Sequence, residues 1–373
     1  MLDVGEAAVT LTAELVAVDS VNPALVPDAA GEAAIVEHLR VRLDSRGFVT
    51  HVIPSADGSR LSLVAVPPGP EGAPTVVLNG HLDTVGVSGM DDPFTPQIDG
   101  DRLYGRGAAD MKGGVAALVV AAERLVASGA HVRPVLALVA DEEDASRGSE
   151  AVIAALPALH IRPDVCLIAE PTDLTLARSL RGFAVVEVEF SGIAAHSSQP
   201  ELGVDAIRHL GAFLSAIENR AVQIREAGGD LMVTRVEGGG SPFIVADRAR
   251  CVVERRTGAD ESAEDAIDEV RHLLRPEWRA TARSIVARGA WRLGGGSAAI
   301  LADRLADALG TTADFEAPYW MEAPLWEQLC PTLICGPSGG GLHAVDEWVD
   351  LEQVRRFARG LVHVLSSQDA AVR

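Results

Sequence analysis

Short apolar runs separated by helical patterns constrain this chain more than any other feature. LSLVAV begins near residue 61, TVVLNG near 75, VLALVA near 135 and VCLIAE near 165, with an Ala/Val/Leu stretch from Gly113 to Val126 between the second and third. Runs this short and this apolar read as strands covered on both faces. Strands of that kind alternating with helices predict a mostly parallel α/β sheet. Helices are expected over residues 8–18 and Gly31–Leu43 ahead of the sheet. A last strand in PTLICG and a last helix over Leu351–Leu365 are expected behind it.

After about Arg181 the texture changes. FAVVEVEF alternates like a half-buried strand; a helix is expected over Gly203–Glu218, then strands DLMVTRVEG and ARCVVERRT, a helix over Ser262–Leu274 and a strand RATARSIVARG. That β-α-β-β-α-β order is the ferredoxin-like plan, an open-faced sheet with helices on one side. At 373 residues the chain is too long for one simple core. The expected division is a first domain over 1–180 and 290–373, with a second inserted at 181–289.

The chain carries 32 Lys and Arg against 53 Asp and Glu, a net charge of −21, which disfavours a role on nucleic acid. No run of 18 apolar residues occurs, so no membrane span is expected. MLDVGEAAVTLTAELV has no basic segment ahead of an apolar one, and so does not read as a signal peptide. Cys166, Cys251, Cys330 and Cys335 form no C-x-x-C pair and are expected as reduced core residues. A cytoplasmic location is expected.

In open α/β sheets functional groups gather beyond the carboxyl ends of the strands. His81 and Asp83 end the strand in VVLNGHLDTV, Asp110 stands before the Ala-rich helix, Asp141-Glu142-Glu143-Asp144 follow VLALVA, and Glu170 follows VCLIA. His343 follows PTLICG through a glycine-rich loop. Taken singly, each has a plain structural reading: His81–Asp83 a satisfied buried pair, Asp110 a helix N-cap, Glu142 and Glu143 a solvated loop, Glu170 a surface residue, His343 a loop histidine. Their joint placement at strand ends would require five coincidences.

Two histidines and several carboxylates at one sheet edge repel unless cations neutralise them. Imidazole with carboxylate suits zinc, and with more oxygens also cobalt or manganese. Five ligands sharing one carboxylate are what two ions need at roughly 3.5–4 Å separation. In that arrangement His81 binds a metal while Asp83 holds its other ring nitrogen. Competing motifs are weak: GRGAAD lacks the third glycine of a dinucleotide loop, Lys112 is followed by Gly113 rather than Ser or Thr, and no G-x-S-x-G occurs.

VDSVNPA, GHLDTV, YGRGAADMKGG, ADEED, AEPT, GIAAHSSQPELGVDAI, the GGGS-to-ERR region and GPSGGGLHAVDEWV together resemble the M20 metallopeptidase family. That family includes acetylornithine deacetylase, succinyl-diaminopimelate desuccinylase, aminoacylase and glutamate carboxypeptidase, and the resemblance spans nearly the whole chain. It implies a catalytic domain of zinc-aminopeptidase type with an inserted lid that also dimerises. By the same resemblance His81 and Glu170 bind one metal, Glu143 and His343 the other, and Asp110 bridges. Glu142 is implied as the general base, and His196 as reaching the active site of a partner subunit. Arg256, in VVERRT, is a candidate for gripping a substrate carboxylate, since guanidinium forks onto that group; a surface strand arginine is the plainer reading.

Two departures stand out: Gly86 replaces a proline after GHLDTV, and Phe243 with Ala246 replaces the usual Asn-x-x-Pro of the lid. The second suggests a less polar acyl or side-chain pocket. The reading that results is hydrolysis of N-acyl amino acids in the manner of acetylornithine deacetylase. A desuccinylase or a carboxypeptidase-type dipeptidase comes next, and a metal-binding protein without catalysis is the alternative from another class.

Overall fold

Six strands line up in the spatial order Val49–Pro54, Leu61–Val66, Arg133–Val139, Thr75–His81, Val165–Ile168, Thr332–Ile334. The last four run parallel, as their apolar runs and helical crossovers require. Leu61–Val66 instead runs antiparallel to both its neighbours. Only six residues separate it from Val49–Pro54, enough for a hairpin and too few for a crossover. Val49–Pro54 has no counterpart in the sequence reading. It is a partly exposed edge strand that ends in proline, so it lacks the continuous apolar run that betrays the interior strands.

The computed structural model describes residues 3–69 and 72–366. They divide into two compact units, one of Met1–Arg178, Leu293–Phe315 and Met321–Arg373, the other of Ser179–Arg292 and Glu316–Trp320. In the first, Thr75–His81 is buried at every position and lies mid-sheet. The helix Gly113–Ser128 packs against it, buried from Gly113 through Ala122. Gly114 is required there: a Cβ would stand 2.3 Å from the Ala169 carbonyl oxygen. The helix Leu351–Ser366 buries Val354, Phe357, Ala358, Leu361 and Leu365, one stripe at helical spacing. Phe357 is fully enclosed, an apolar burial worth about 1.5–3 kcal/mol.

A smaller antiparallel sheet in the same unit joins Gly339–Gly340, Trp348–Asp350, Arg102–Tyr104 and Gln97–Asp99. It sets the loop carrying His343 beside the chain that leads into GRGAAD.

The second unit is an antiparallel sheet in the order Asp230–Gly238, Arg248–Arg256, Phe183–Ser191, Ala280–Arg288, with helices Ala206–Glu226 and Ala263–His272. This is the ferredoxin-like arrangement. Ala184, Val186, Val188 and Phe190 are fully buried, while Phe183, Val185, Glu187 and Glu189 alternate on the other face. Phe213 of the first helix meets Phe190 at 5.6 Å and Trp278 at 6.3 Å between ring centroids. That helix starts later and runs further than its sequence suggested. Asp205 caps it by accepting from Ile207 and Arg208, and its apolar stripe continues through Ile217, Ala221 and Ile224.

No helix of the described residues is long and apolar enough to cross a membrane.

Candidate metal centre

Each carboxylate and imidazole at the strand ends is delivered by a separate piece of the first unit. His81 is the last residue of its strand, and the parallel register places it against Val139, just before the Asp141–Asp144 loop. Glu170 follows Val165–Ile168, and Gly336 packs over it so closely that a Cβ would stand 2.5 Å from its carbonyl oxygen. Asp110 lies in an irregular turn, Ala108–Lys112, with φ −118° and ψ 91°. The N-cap reading of Asp110 therefore fails: Lys112 holds that position of the following helix.

These residues meet in two triples that share Asp110. His81, Asp110 and Glu170 bring ligand atoms within 4.8 Å of one another, as do Asp110, Glu143 and His343. Asp110 faces both histidines, with Oδ1 3.0 Å from His81 Nε2 and Oδ2 3.3 Å from His343 Nε2. Glu143 Oε2 lies 3.1 Å from His343 Nε2. Asp83 behaves differently from its sequence reading. Its main-chain carbonyl lies 3.0 Å from His81 Nδ1 while its carboxylate stands 3.7 Å away. That carboxylate instead accepts the main-chain N–H groups of Glu142, at 3.0 Å, and Glu143, at 3.2 Å.

Crowded acids in a buried place hold protons that ordinary acids release. Burial pushes the Glu170 carboxyl up to about 8. Burial, with Glu170 beside it, drives Glu142 well above the usual range. Burial also raises Glu143, and Asp110 adds to the rise. The histidines move the other way in charge: Asp110 and Glu143 raise His343 to about 10. Burial disfavours the His81 imidazolium, yet Asp110 and Glu170 outweigh it and its pKa stands well above normal.

The donor set fits divalent cations. It offers two imidazoles and three carboxylates on a short span, and Glu143 Oε1 is buried with no hydrogen-bond partner from the protein. An orphan acceptor of this kind needs a cation or a donor.

Two carboxylates that frame the site escaped the sequence reading. Glu347 accepts from Arg106 Nη1 at 2.6 Å and from the main-chain N–H groups of Gly107, Ala109 and Asp110 at 2.9–3.1 Å. Arg106 Nη2 also donates to the Ala344 carbonyl at 3.0 Å, so one buried ion pair ties the Asp110 turn to the His343 loop. The signal was slight, an arginine between two glycines and a glutamate four residues after His343. Glu347→Ala is expected to lower unfolding free energy by about 3–5 kcal/mol, because Arg106 is left buried and unpaired; urea denaturation measures it. Glu322 is the other. It is 1% exposed, burial raises its carboxyl to about 7, and it accepts from Ser149 at 2.7 Å. Nothing in MEAPLW marks it as different from a surface glutamate.

The remaining two candidates lie in the second unit. His196 is exposed, and the Ser198 main-chain N–H donates to its Nδ1 at 3.2 Å. A main-chain N–H can only donate, so in the neutral ring the proton sits on Nε2. Ser197 N–H donates to the Phe243 carbonyl at 2.9 Å, which sets Phe243, 69% exposed, beside His196. Arg256 donates from Nε to Glu254 at 2.5 Å and stacks over Phe183 at 5.0 Å, so part of its fork is already engaged.

A family model described as peptidase family M20/M25/M40 matches residues 77–367. The chain is 28% identical over 376 residues to the succinyl-diaminopimelate desuccinylase of Novosphingobium aromaticivorans, covering 94% of this chain and 96% of that protein. Among solved structures, aminopeptidase PepT from Bacillus cereus superposes with a TM-score of 0.76 at 20% identity over 97% of this chain and 98% of that one. The YXEP protein of Bacillus subtilis, described as a dinuclear metal-binding peptidase, gives a TM-score of 0.71 at 15% identity, with 97% and 98% covered.

Proposed function

The chain belongs to peptidase family M20/M25/M40 and is a hydrolase, and from that premise we propose that it cleaves the amide bond of N-acyl amino acids with the help of two divalent ions. The observation that carries this is the pair of ligand triples sharing Asp110, with Glu142 next to them. His81 and Glu170 would hold one ion and Glu143 and His343 the other, with Asp110 common to both. Ions held there supply an activated water and polarise the scissile carbonyl; zinc suits the donor set, and cobalt or manganese also fit it.

The protein's own part is proton handling and orientation. Glu142 takes the proton from the attacking water as its oxygen bonds to the acyl carbon. It then delivers that proton to the amine nitrogen as the C–N bond breaks, leaving a carboxylate and a free amino acid. Glu142 is left out of both ligand triples, so its carboxylate is free for both halves of the task. Glu143 is less suited, since its carboxylate is engaged with His343. His196, protonated at Nε2, donates to the developing oxyanion, and Arg256 takes a substrate carboxylate.

Among acyl groups we place succinyl ahead of acetyl, reversing the order drawn from the sequence alone, because relatives aligned over 94% of the chain bear the desuccinylase name. Phe243 beside His196 favours an apolar amino-acid moiety. A panel of N-succinyl and N-acetyl amino acids with polar and aromatic side chains, plus dipeptides, run with zinc, cobalt and chelator, tests both statements. Chelator-sensitive turnover is expected to be fastest on an N-succinyl substrate. Fastest turnover of N-acetylornithine would restore the deacetylase reading, and binding of two metals without any hydrolysis would favour a binding protein.

The second unit is proposed to dimerise and to present His196 to the partner's site. Glu142→Ala and His196→Ala proteins, each inactive alone, are then expected to regain activity when mixed and allowed to exchange subunits. Activity that never returns counts against action in trans.

A further inference from the structure

Asp83 is held from behind by a buried polar chain that begins in the N-terminal segment VDSVNPA. Asn22, fully buried, donates from Nδ2 to Asp83 Oδ2 at 2.8 Å and to Asp141 Oδ1 at 3.2 Å. Its Oδ1 accepts from Arg60 Nη1 at 2.6 Å and from the Ala24 main-chain N–H at 2.8 Å. Every hydrogen-bonding position of the amide is used, and Arg60 and Ala24 can only donate, so the amide has one possible orientation. Arg60 is 2% exposed and forks onto Glu32, itself 2% exposed. Glu32 in turn accepts from the Asp141 main-chain N–H at 3.3 Å.

Asp83 and Asp141 are both buried and both acidic. The neutral amide between them donates once to each without adding charge, and Asp141 is paired besides with Arg60 at 3.3 Å and Arg147 at 3.0 Å. The far end of the chain is the point of interest. Asp83, fixed by Asn22, accepts the main-chain N–H groups of Glu142 and Glu143, the two residues that the proposed mechanism uses as base and as ligand.

We propose that Asn22 is a positioning residue for the metal centre: its amide, oriented by Arg60, holds the Asp83 carboxylate so that Asp83 fixes the main chain, and hence the side-chain aim, of Glu142 and Glu143. This rests on the metal-centre reading above. The partners of ligand-bearing groups typically control metal affinity or activity by about 10–100-fold, and a loss of that size is expected here. The identity of the lost contact can be isolated. Asn22→Ala removes the whole amide. Asn22→Asp keeps its shape and its acceptance from Arg60 and Ala24; ionised, as Arg60 at 2.6 Å favours, it cannot donate to Asp83.

Metal-free wild type, Asn22→Ala, Asn22→Asp, Asp83→Asn and Asn22→Ala/Asp83→Asn proteins are titrated with Co²⁺ alone, and kcat and KM are measured where turnover occurs. Thermal melts confirm that each variant is folded. The expected result is that both Asn22 variants weaken one of two cobalt sites about 10–100-fold and lower kcat more than they raise KM. Adding Asn22→Ala to Asp83→Asn is expected to change little, since the effect passes through Asp83. An Asn22→Asp protein with wild-type cobalt affinity and kcat overturns the proposal, as do losses that simply add in the double variant. A wild type that takes up no second cobalt sinks the metal-centre reading itself, a separate outcome readable without turnover.

Discussion

Glu142→Ala is expected to lower kcat by about 10²–10⁴-fold, the usual range for a lost general acid–base group, while bound metal per chain stays at the wild-type level. Glu142 belongs to neither ligand triple, so the ions lose no donor. What disappears is the carrier that moves one proton from water to the leaving amine. A second consequence separates this from general damage. Glu142 and Glu170 are neighbouring buried acids, each contending with burial. Removing Glu142 ends that group's own burial cost, so the metal-free variant is expected to melt no lower than metal-free wild type. Metal analysis, steady-state kinetics and a thermal melt on one preparation decide it. Near-normal kcat, or metal lost along with activity, refutes the assignment of the base.

Chelation is expected to abolish hydrolysis and to make stability fall as pH rises. Glu170 titrates at about 8 in the fold against about 4.3 when unfolded. The fold therefore binds its proton more tightly, and the stability this brings is full below the unfolded value and lost as pH climbs through 8. His343, raised to about 10 from about 6.5, acts with the same sign. Its contribution is complete below its unfolded pKa and lost as pH climbs through 10. Between pH 5 and 8 the metal-free protein should lose melting temperature steadily. With metal bound, the carboxylates no longer need protons, and free metal at 100 times its dissociation constant adds about 2.7 kcal/mol. The loaded protein should thus show a much flatter profile. Parallel pH profiles with and without chelator would remove the cluster from any role in metal binding.

Much of the architecture was legible in the residue pattern because its signals are local. Thr75–His81 and Val165–Ile168 announce themselves as unbroken apolar runs, and Phe183–Ser191 as an alternation, since strand periodicity is written in neighbouring residues. Val49–Pro54 was not legible. It is an edge strand whose pairing with Leu61–Val66 substitutes for the apolar surface an interior strand would carry. The reversed direction of Leu61–Val66 was missed for a related reason: an apolar run states that a strand is buried, not which way it runs.

The same division holds at the site. His81, Asp110, Glu170, His343 and the run Asp141–Asp144 could be named in advance because each follows or precedes a recognisable element, with Glu143 singled out by the family resemblance, and the strands' parallel register carries their ends to one edge. Sequence by itself pointed to these candidates, to a chain in two parts, and to the chemistry that such donors favour. Only the tertiary structure decided what holds them. Arg106 finds Glu347 across 241 residues, Asn22 finds Asp141 across 119, and Asp83 turns its carboxylate to the Glu142–Glu143 main chain rather than to His81. Local periodicity reports which residues are buried. The partner that makes a buried charge tolerable is fixed by packing between distant segments, and that pairing has no periodicity in the chain.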